Sequence, residues 1–433
     1  VEENMTHRIS RRHVNAGIGA ALVSPAVSPA LASTAAFAQG GGTPIKIGFS
    51  MAQTGALAGA GKQALLGAQI WEEEINTKGG LLGRPVKLIY YDDQTKPDSV
   101  PGIYAKLLDV DKVDLVIGPY GTNLVAPAIP SVMGKGKVLI GLFALDANHD
   151  FHYPRYFSML PSGPTPKQSF TEGFFEIATA QNPKPQTVAI AAEDAEFSRN
   201  AAEGARENAH KYGFKTVYDR TYPPNTTDFS PIIRAIQATN PELVVICSYP
   251  NTSVGMVQTA SELGLKPKMM GGGMVGIQYT AIKSKLKSKL NGIVNYEFWV
   301  PTPKLMAPAA DFFKKYQARA ASEGVDPLGY YLGGWGYAYF QVLQQAVEGT
   351  KSLNDDKLAE YMRTHAFTTI MNPEIKFGKD GEWTKSAVMQ VQYHDITDSA
   401  NLDTWRGMSY QTVLTPGDQK TGNVIYPYER ASG

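Results

Sequence analysis

The chain has 433 residues, enough for two domains with full cores. Hydrophobic residues make up 43% and charged residues 19%, which speaks against a disordered chain and against one embedded in a bilayer. A formal net charge of +1 removes the electrostatic reason to expect nucleic acid or an acidic membrane surface as partner.

The first segment reads as an export signal. A basic stretch, THRISRRHVN at 6–15, is followed by apolar and small residues from Ala16 to Ala32. Ala36-Phe37-Ala38 then supplies the small residues two apart that a signal peptidase needs, so cleavage is expected after Ala38. The apolar stretch contains Pro25 and Pro29 and is too short and weak to span a bilayer. Adjacent Arg11 and Arg12 resemble a twin-arginine signal, and the general secretory route stays open as well.

From Pro44 onward short β-rich runs alternate with helical stretches. The predicted strands are 45–51, 86–92, 113–119, 137–143, 187–193, 242–249 and 292–298. Between them, apolar residues recur near a 3.6 period at 61–76, 100–110, 125–133, 198–212, 230–239 and 253–263, which predicts helices. Such alternation implies parallel sheets covered by helices on both faces. A first block runs from about 44 to 160, and PSGPTPK at 161–167 reads as a crossing strand or hinge. Helices are predicted again at 307–321 and 330–347, where the chain is expected to return to the first block. Late strands at 374–378 and 386–395 flank the turn Lys379-Asp380-Gly381. The tail after Thr397 carries no readable pattern.

Motifs for chemistry are missing. GALAGAGK at 55–62 lacks the third glycine of a dinucleotide loop, and Gln63 stands where a phosphate loop needs serine or threonine. There is no Gly-x-Ser-x-Gly elbow, and the histidines are scattered, with His149 and His152 the nearest pair. Asp92-Asp93 at a strand end reads as a pair capping local backbone groups. The single cysteine, Cys247, lies in the apolar run LVVIC and reads as core. KSKLKSK at 283–289 reads as a solvated helix face. No enzymatic activity, cofactor or metal is expected.

Several strings in order resemble the branched-chain amino-acid-type periplasmic binding proteins. They are IGFSMAQTGALAGAGKQALLGAQIWEEEIN after the first strand, NTKGGLLGRPVKLIYYDDQTKP at 76–97, VDLVIGPYGTN at 113–123, FSRNAAEGARENAHKYGFKTV at 197–217 and FTTIMNPEIKFGKDGEW at 367–383. The resemblance implies an α/β fold of two doubly wound parallel-sheet lobes joined by three crossings, with a ligand in the cleft. Lobe 1 would comprise 44–163 and 299–384, and lobe 2 would comprise 164–298 and 385–433. Strand C-terminal ends and helix N-termini face such a cleft, where free amides favour an anionic group.

By resemblance, Thr122 matches a hydroxyl that holds the ligand carboxylate, with Tyr120 and Asn123 beside it. Gln53 and Leu57 fall on the turn after the first strand. Phe143, Ala144 and Leu145 fall on the next ligand-facing loop. Phe197 and Tyr249 form aromatic walls in the second lobe, and Gly273 and Met274 end the stretch MGGGM. The family's amino-acid binders pair the ligand ammonium with a second-lobe glutamate and an adjacent first-lobe hydroxyl. Here those positions read Met270-Gly271-Gly272-Gly273-Met274 and Leu145. An ammonium there would lose its charge partner at a cost of several kcal/mol, unless Asp146 or Glu193 served instead. The expected ligand is a small carboxylic acid without an α-amino group, aromatic or otherwise apolar. The resemblance further implies a monomer in the periplasm that delivers ligand to an ABC permease and its ATPase. A binder of branched-chain or other amino acids and a ligand-sensing regulator on the same fold stand as alternatives.

Overall fold

The computed structural model describes residues 42–432, and the expected export signal lies outside the described residues. The first sheet contains β1 (Ile45–Ser50), β2 (Val86–Tyr91), β3 (Leu115–Val116), β4 (Leu139–Gly141) and β5 (Tyr156–Ser158). They alternate with α1 (Ala58–Thr77), α2 (Val100–Asp109) and α3 (Thr122–Met133). The order β2-β1-β3 continues through a parallel bridge between Tyr120 and Leu142 into β4-β5, and every pairing is parallel.

The chain then enters α4 (Pro166–Thr179), β6 (Thr187–Glu193), α5 (Glu196–Lys211), β7 (Lys215–Tyr222), α6 (Ser230–Ala238), β8 (Leu243–Ser248) and α7 (Pro250–Glu262). Next come β9 (Met269–Met274), α8 (Thr280–Leu286) and β10 (Ile293–Glu297). It then forms α9 (Pro303–Met306), α10 (Ala310–Glu323), α11 (Gly333–Thr350) and α12 (Asp355–Thr364), of which α10 and α11 pack on α1 of the first block and α12 packs on α11. The last elements are β11 (Met389–Tyr393), β12 (Gln411–Thr415) and α13 (Glu429–Ser432). The second sheet has the order β12-β11-β10-β9-β8-β6-β7. Pairing is parallel from β7 to β10 and antiparallel through β11 and β12. The parallel, doubly wound lobe is thus finished by two antiparallel strands, and the unread tail supplies one of them.

Central strands are apolar throughout because helices cover both faces. All six residues of β8 are buried, Cys247 among them, and burial pushes its thiol up to about 12. β9, by contrast, has the sequence MMGGGM and no β-forming pattern. Its glycines answer a spatial demand. A Cβ on Gly271 would lie 1.6 Å from the Val294 carbonyl oxygen, and Gly272 has φ +122°.

Two sequence readings need correction. Residues 374–378 form no strand but contribute isolated antiparallel bridges, Phe367 to Ile375 and Phe377 to Trp383. Lys283 does not sit on a solvated face. It is buried and paired with Glu297 at 2.8 Å, because α8 turns that side chain toward β10.

Candidate functional site

The sequence GPYGTN at 118–123 carries the chain from β3 into α3. A Cβ on Gly118 would press on the Ile140 carbonyl at 2.8 Å, so glycine lets β3 and β4 approach. Gly121 caps α3 with φ 94° and no side-chain cap. The Thr122 and Asn123 amides therefore point out of the helix N-terminus, and among the described residues they have no protein acceptor. The next loop is held by a backbone outlier: Phe143 has φ +52°, an uncommon conformation for a large side chain.

These two loops form one wall of a narrow cavity of about 10 Å³, room for about one water between the side chains that line it. Tyr120, Gly121, Thr122 and Phe143 come from the first-sheet side, together with Tyr331 ahead of α11. Phe170, Phe197, Tyr249, Val275 and Tyr296 come from the second-sheet side. Leu160 and Phe298 sit on chain crossings between the two. The lining contains eight aromatic rings, which interlock in edge-to-face and tilted pairs. Phe143 meets Phe298 at 4.8 Å, Phe170 meets Tyr296 at 4.3 Å, and Phe197 meets Tyr249 at 5.5 Å.

Among the described residues, no Asp, Glu, Lys, Arg or His lines this cavity. Its polar groups are chiefly neutral donors. The Tyr120 and Tyr331 hydroxyls share one hydrogen bond at 2.9 Å, which leaves one of their two protons unspent. Thr122 Oγ1 accepts from the Leu145 amide at 2.9 Å and keeps its own proton to give. Outside the lining itself, the Tyr279 hydroxyl, on a ring whose centroid is 5.2 Å from that of Tyr331, is buried without a protein partner among the described residues. Burial pushes the phenol of Tyr120 up to about 12 and raises those of Tyr279, Tyr296 and Tyr331, so all four stay protonated.

The twelve residues picked from sequence divide as follows. Tyr120, Thr122, Phe143, Phe197 and Tyr249 line the cavity. Asn123 closes its rim, its Oδ1 accepting from the Tyr249 hydroxyl at 2.9 Å and from the Phe197 amide at 3.4 Å. Gln53 and Leu57 lie off the wall, tied by their amides to Asp92 and Thr95. Ala144 and Leu145 are fully buried behind it, with Leu145 serving through its backbone. Gly273 and Met274 belong to β9, where Met274 packs in the core of the second sheet, so neither faces the cavity.

The two acids considered as substitute partners are engaged elsewhere. Glu193 accepts from the Tyr249 amide and the Thr252 hydroxyl at the start of α7. Asp146 pairs with Lys167 at 3.3 Å. Phe170, Tyr296, Phe298 and Tyr331 escaped the sequence reading. The signal available for two of them was the aromatic run Tyr296-Glu297-Phe298-Trp299 at a strand end.

The sequence model of periplasmic binding proteins matches residues 44–397. The chain belongs to that family. A relative in Brucella suis, named Leu/Ile/Val-binding protein homolog 8, is 24% identical over 414 residues, covering 90% of this chain and 95% of its own. The substrate-binding protein LivJ of Streptococcus pneumoniae, solved with isoleucine, superposes with a TM-score of 0.69 at 19% identity. That match covers 86% of this chain and all of LivJ. A solute-binding protein of an ABC transporter from Rhodopseudomonas palustris, solved with 3,4-dihydroxybenzoic acid, gives 0.67 at 16% identity, covering 88% and 96%. The fold of this family member is the type I periplasmic binding fold, two α/β lobes joined by three crossings. Among the described residues, no helix is long and apolar enough to cross a membrane.

Proposed function

We propose that this periplasmic binding protein is the exported receptor of an ABC importer and closes on a small carboxylic acid that lacks an α-amino group. One observation carries the reading: the cavity wall is uncharged and aromatic, and it holds hydrogen-bond donors with no protein acceptor. A carboxylate is acceptor-only and matches those donors. The Thr122 hydroxyl and the amides at the start of α3 would hold it, with Tyr120 and Tyr331 adding phenol protons. Charge-assisted bonds of this kind contribute about 1.5–3 kcal/mol each. An α-ammonium would need a counter-charge that the lining does not offer, at a cost of several kcal/mol. The aromatic rings favour a flat apolar body. The competing reading, a branched-chain amino acid, is favoured by the name of the Brucella relative and by the ligand bound in LivJ.

Thermal-shift and calorimetric titration with benzoate, 4-hydroxybenzoate, 3,4-dihydroxybenzoate, leucine and valine separates the two. Stabilisation by at least one aromatic acid, and none by either amino acid, is the expected result. Micromolar binding of leucine overturns the proposal.

A further inference from the structure

The strand that lines the ligand cavity has a second cavity on its other side. Side chains alternate along an extended chain. Tyr296 and Phe298 face the aromatic cavity, while Glu297 and Trp299 face a small enclosed one behind it. Tyr331 and Tyr330 divide in the same way. The second cavity is closed by Gln278 and by Trp405 and Gln411 from the tail.

Its lining is polar and unfinished. Trp299 Nε1, Trp405 Nε1, Gln278 Oε1 and Gln411 Oε1 are all buried, and none has a protein partner among the described residues. The four side chains belong to residues only 2–3% exposed. The amide orientations are fixed by their nitrogens: Gln278 Nε2 donates to the Tyr296 carbonyl at 3.0 Å, and Gln411 Nε2 donates to the Gly407 carbonyl at 3.3 Å. Two donors and two acceptors without protein partners thus belong to side chains that line one cavity. The buried pair Lys283–Glu297 borders it, and both protein bonds of Glu297, from Lys283 and from Tyr393, go to the same oxygen, Oε1.

We propose that this second cavity is a built binding site for an ordered water. Water donates two hydrogen bonds and accepts two. Two indole N–H groups and two glutamine carbonyl oxygens form its complement in number and kind. A small anion would leave both glutamine oxygens unsatisfied, and a cation would leave both indoles so. The water joins the tail, through Trp405 and Gln411, to the crossing strand at Trp299. It thereby anchors the strand whose opposite face shapes the ligand cavity.

A crystal structure of the full chain at about 1.5 Å tests the site. The expected result is a density peak within about 3.2 Å of at least three of the four named atoms. A site without such a peak, or glutamine amides turned to bond each other, overturns it. In solution, the indole protons of Trp299 and Trp405 should show cross-relaxation with a long-lived water, and fast exchange with bulk water at both counts against it. Trp405→Phe removes one donor and should abolish or displace the peak. Should that variant fail to fold, the two measurements on the unaltered chain still decide.

Discussion

At the scale of single residues, Asp93 shows how burial and hydrogen bonding compete. Its side chain is buried behind β1, where Ser50 donates to it at 3.0 Å and the Thr95 amide donates at 3.0 Å. Burial outweighs those bonds and pushes the carboxyl up to about 6. The folded state thus holds this proton more tightly than the unfolded chain, whose aspartates titrate near 3.9. The stability that Asp93 contributes is complete below about pH 4 and is lost as pH rises through 6. Asp93→Asn should remove that slope. Urea unfolding at pH 4 to 8 should show the variant gaining on the native chain by about 2–3 kcal/mol at pH 7, levelling off above. A difference that does not vary with pH would refute the assignment. Asp93 was readable in sequence as a local cap, since its position at a strand end before Gln94-Thr95 demands one. Thr122 was readable too, because GPYGTN marks a strand running into a helix. Tyr331 was not: it reaches the cavity from a loop more than two hundred residues away, and nothing local records that approach.

At the scale of elements, helix pairs and sheets differ in how openly the sequence declares them. α1 and α11 were expected at 61–76 and 330–347 from their apolar period and are found three residues from those limits or nearer. Their crossing is closer than a period can reveal. A Cβ on Gly67 would lie 2.2 Å from the Gly333 carbonyl oxygen, and one on Gly336 would lie 2.3 Å from that of Ala64. Trp71 stacks on Phe340 at 4.7 Å and donates to Gln344 at 3.0 Å beside this contact. Gly67→Ala must push the two helices apart or bend one. A loss of about 1–3 kcal/mol is expected, since overpacking of a tight interior costs that much. Chemical denaturation measures it, and a neutral result would mean the crossing is looser than described. β7 and β9 were missed for opposite reasons. β7 is an edge strand whose exposed residues blur alternation, and β9 is a glycine strand whose pattern is set by its neighbours.

At the scale of the whole molecule, two α/β blocks, the turn-rich join at 161–167 and the return of the chain after β10 were legible from the order of elements. The finishing of the second sheet was legible only in part: β11 falls within the strand expected at 386–395, whereas β12 was missed because the polar tail leaves no period to read. Function at this scale is predicted to be closure of the two lobes on the hinge strands. Direct bonds span the cleft. Asn123 accepts from Tyr249 and Phe197, Asn200 Nδ2 donates to the Leu145 carbonyl at 3.0 Å, and Lys167 meets Asp146 at 3.3 Å. Such bonds exist only when the lobes meet, so they favour the closed state without touching the open one. Small-angle scattering should therefore give a smaller radius of gyration with a saturating acid, the one producing the largest thermal shift, than without it. Asn123→Ala removes two of the spanning bonds, each contributing about 1 kcal/mol. Affinity for that acid should fall roughly tenfold or more, mostly through faster release, because closed lobes are what retain the ligand. If affinity falls while the ligand-induced change in scattering and the release rate stay as in the native chain, Asn123 does not act as a latch. If the radius of gyration is the same with and without a bound acid, hinge closure itself is wrong for this protein.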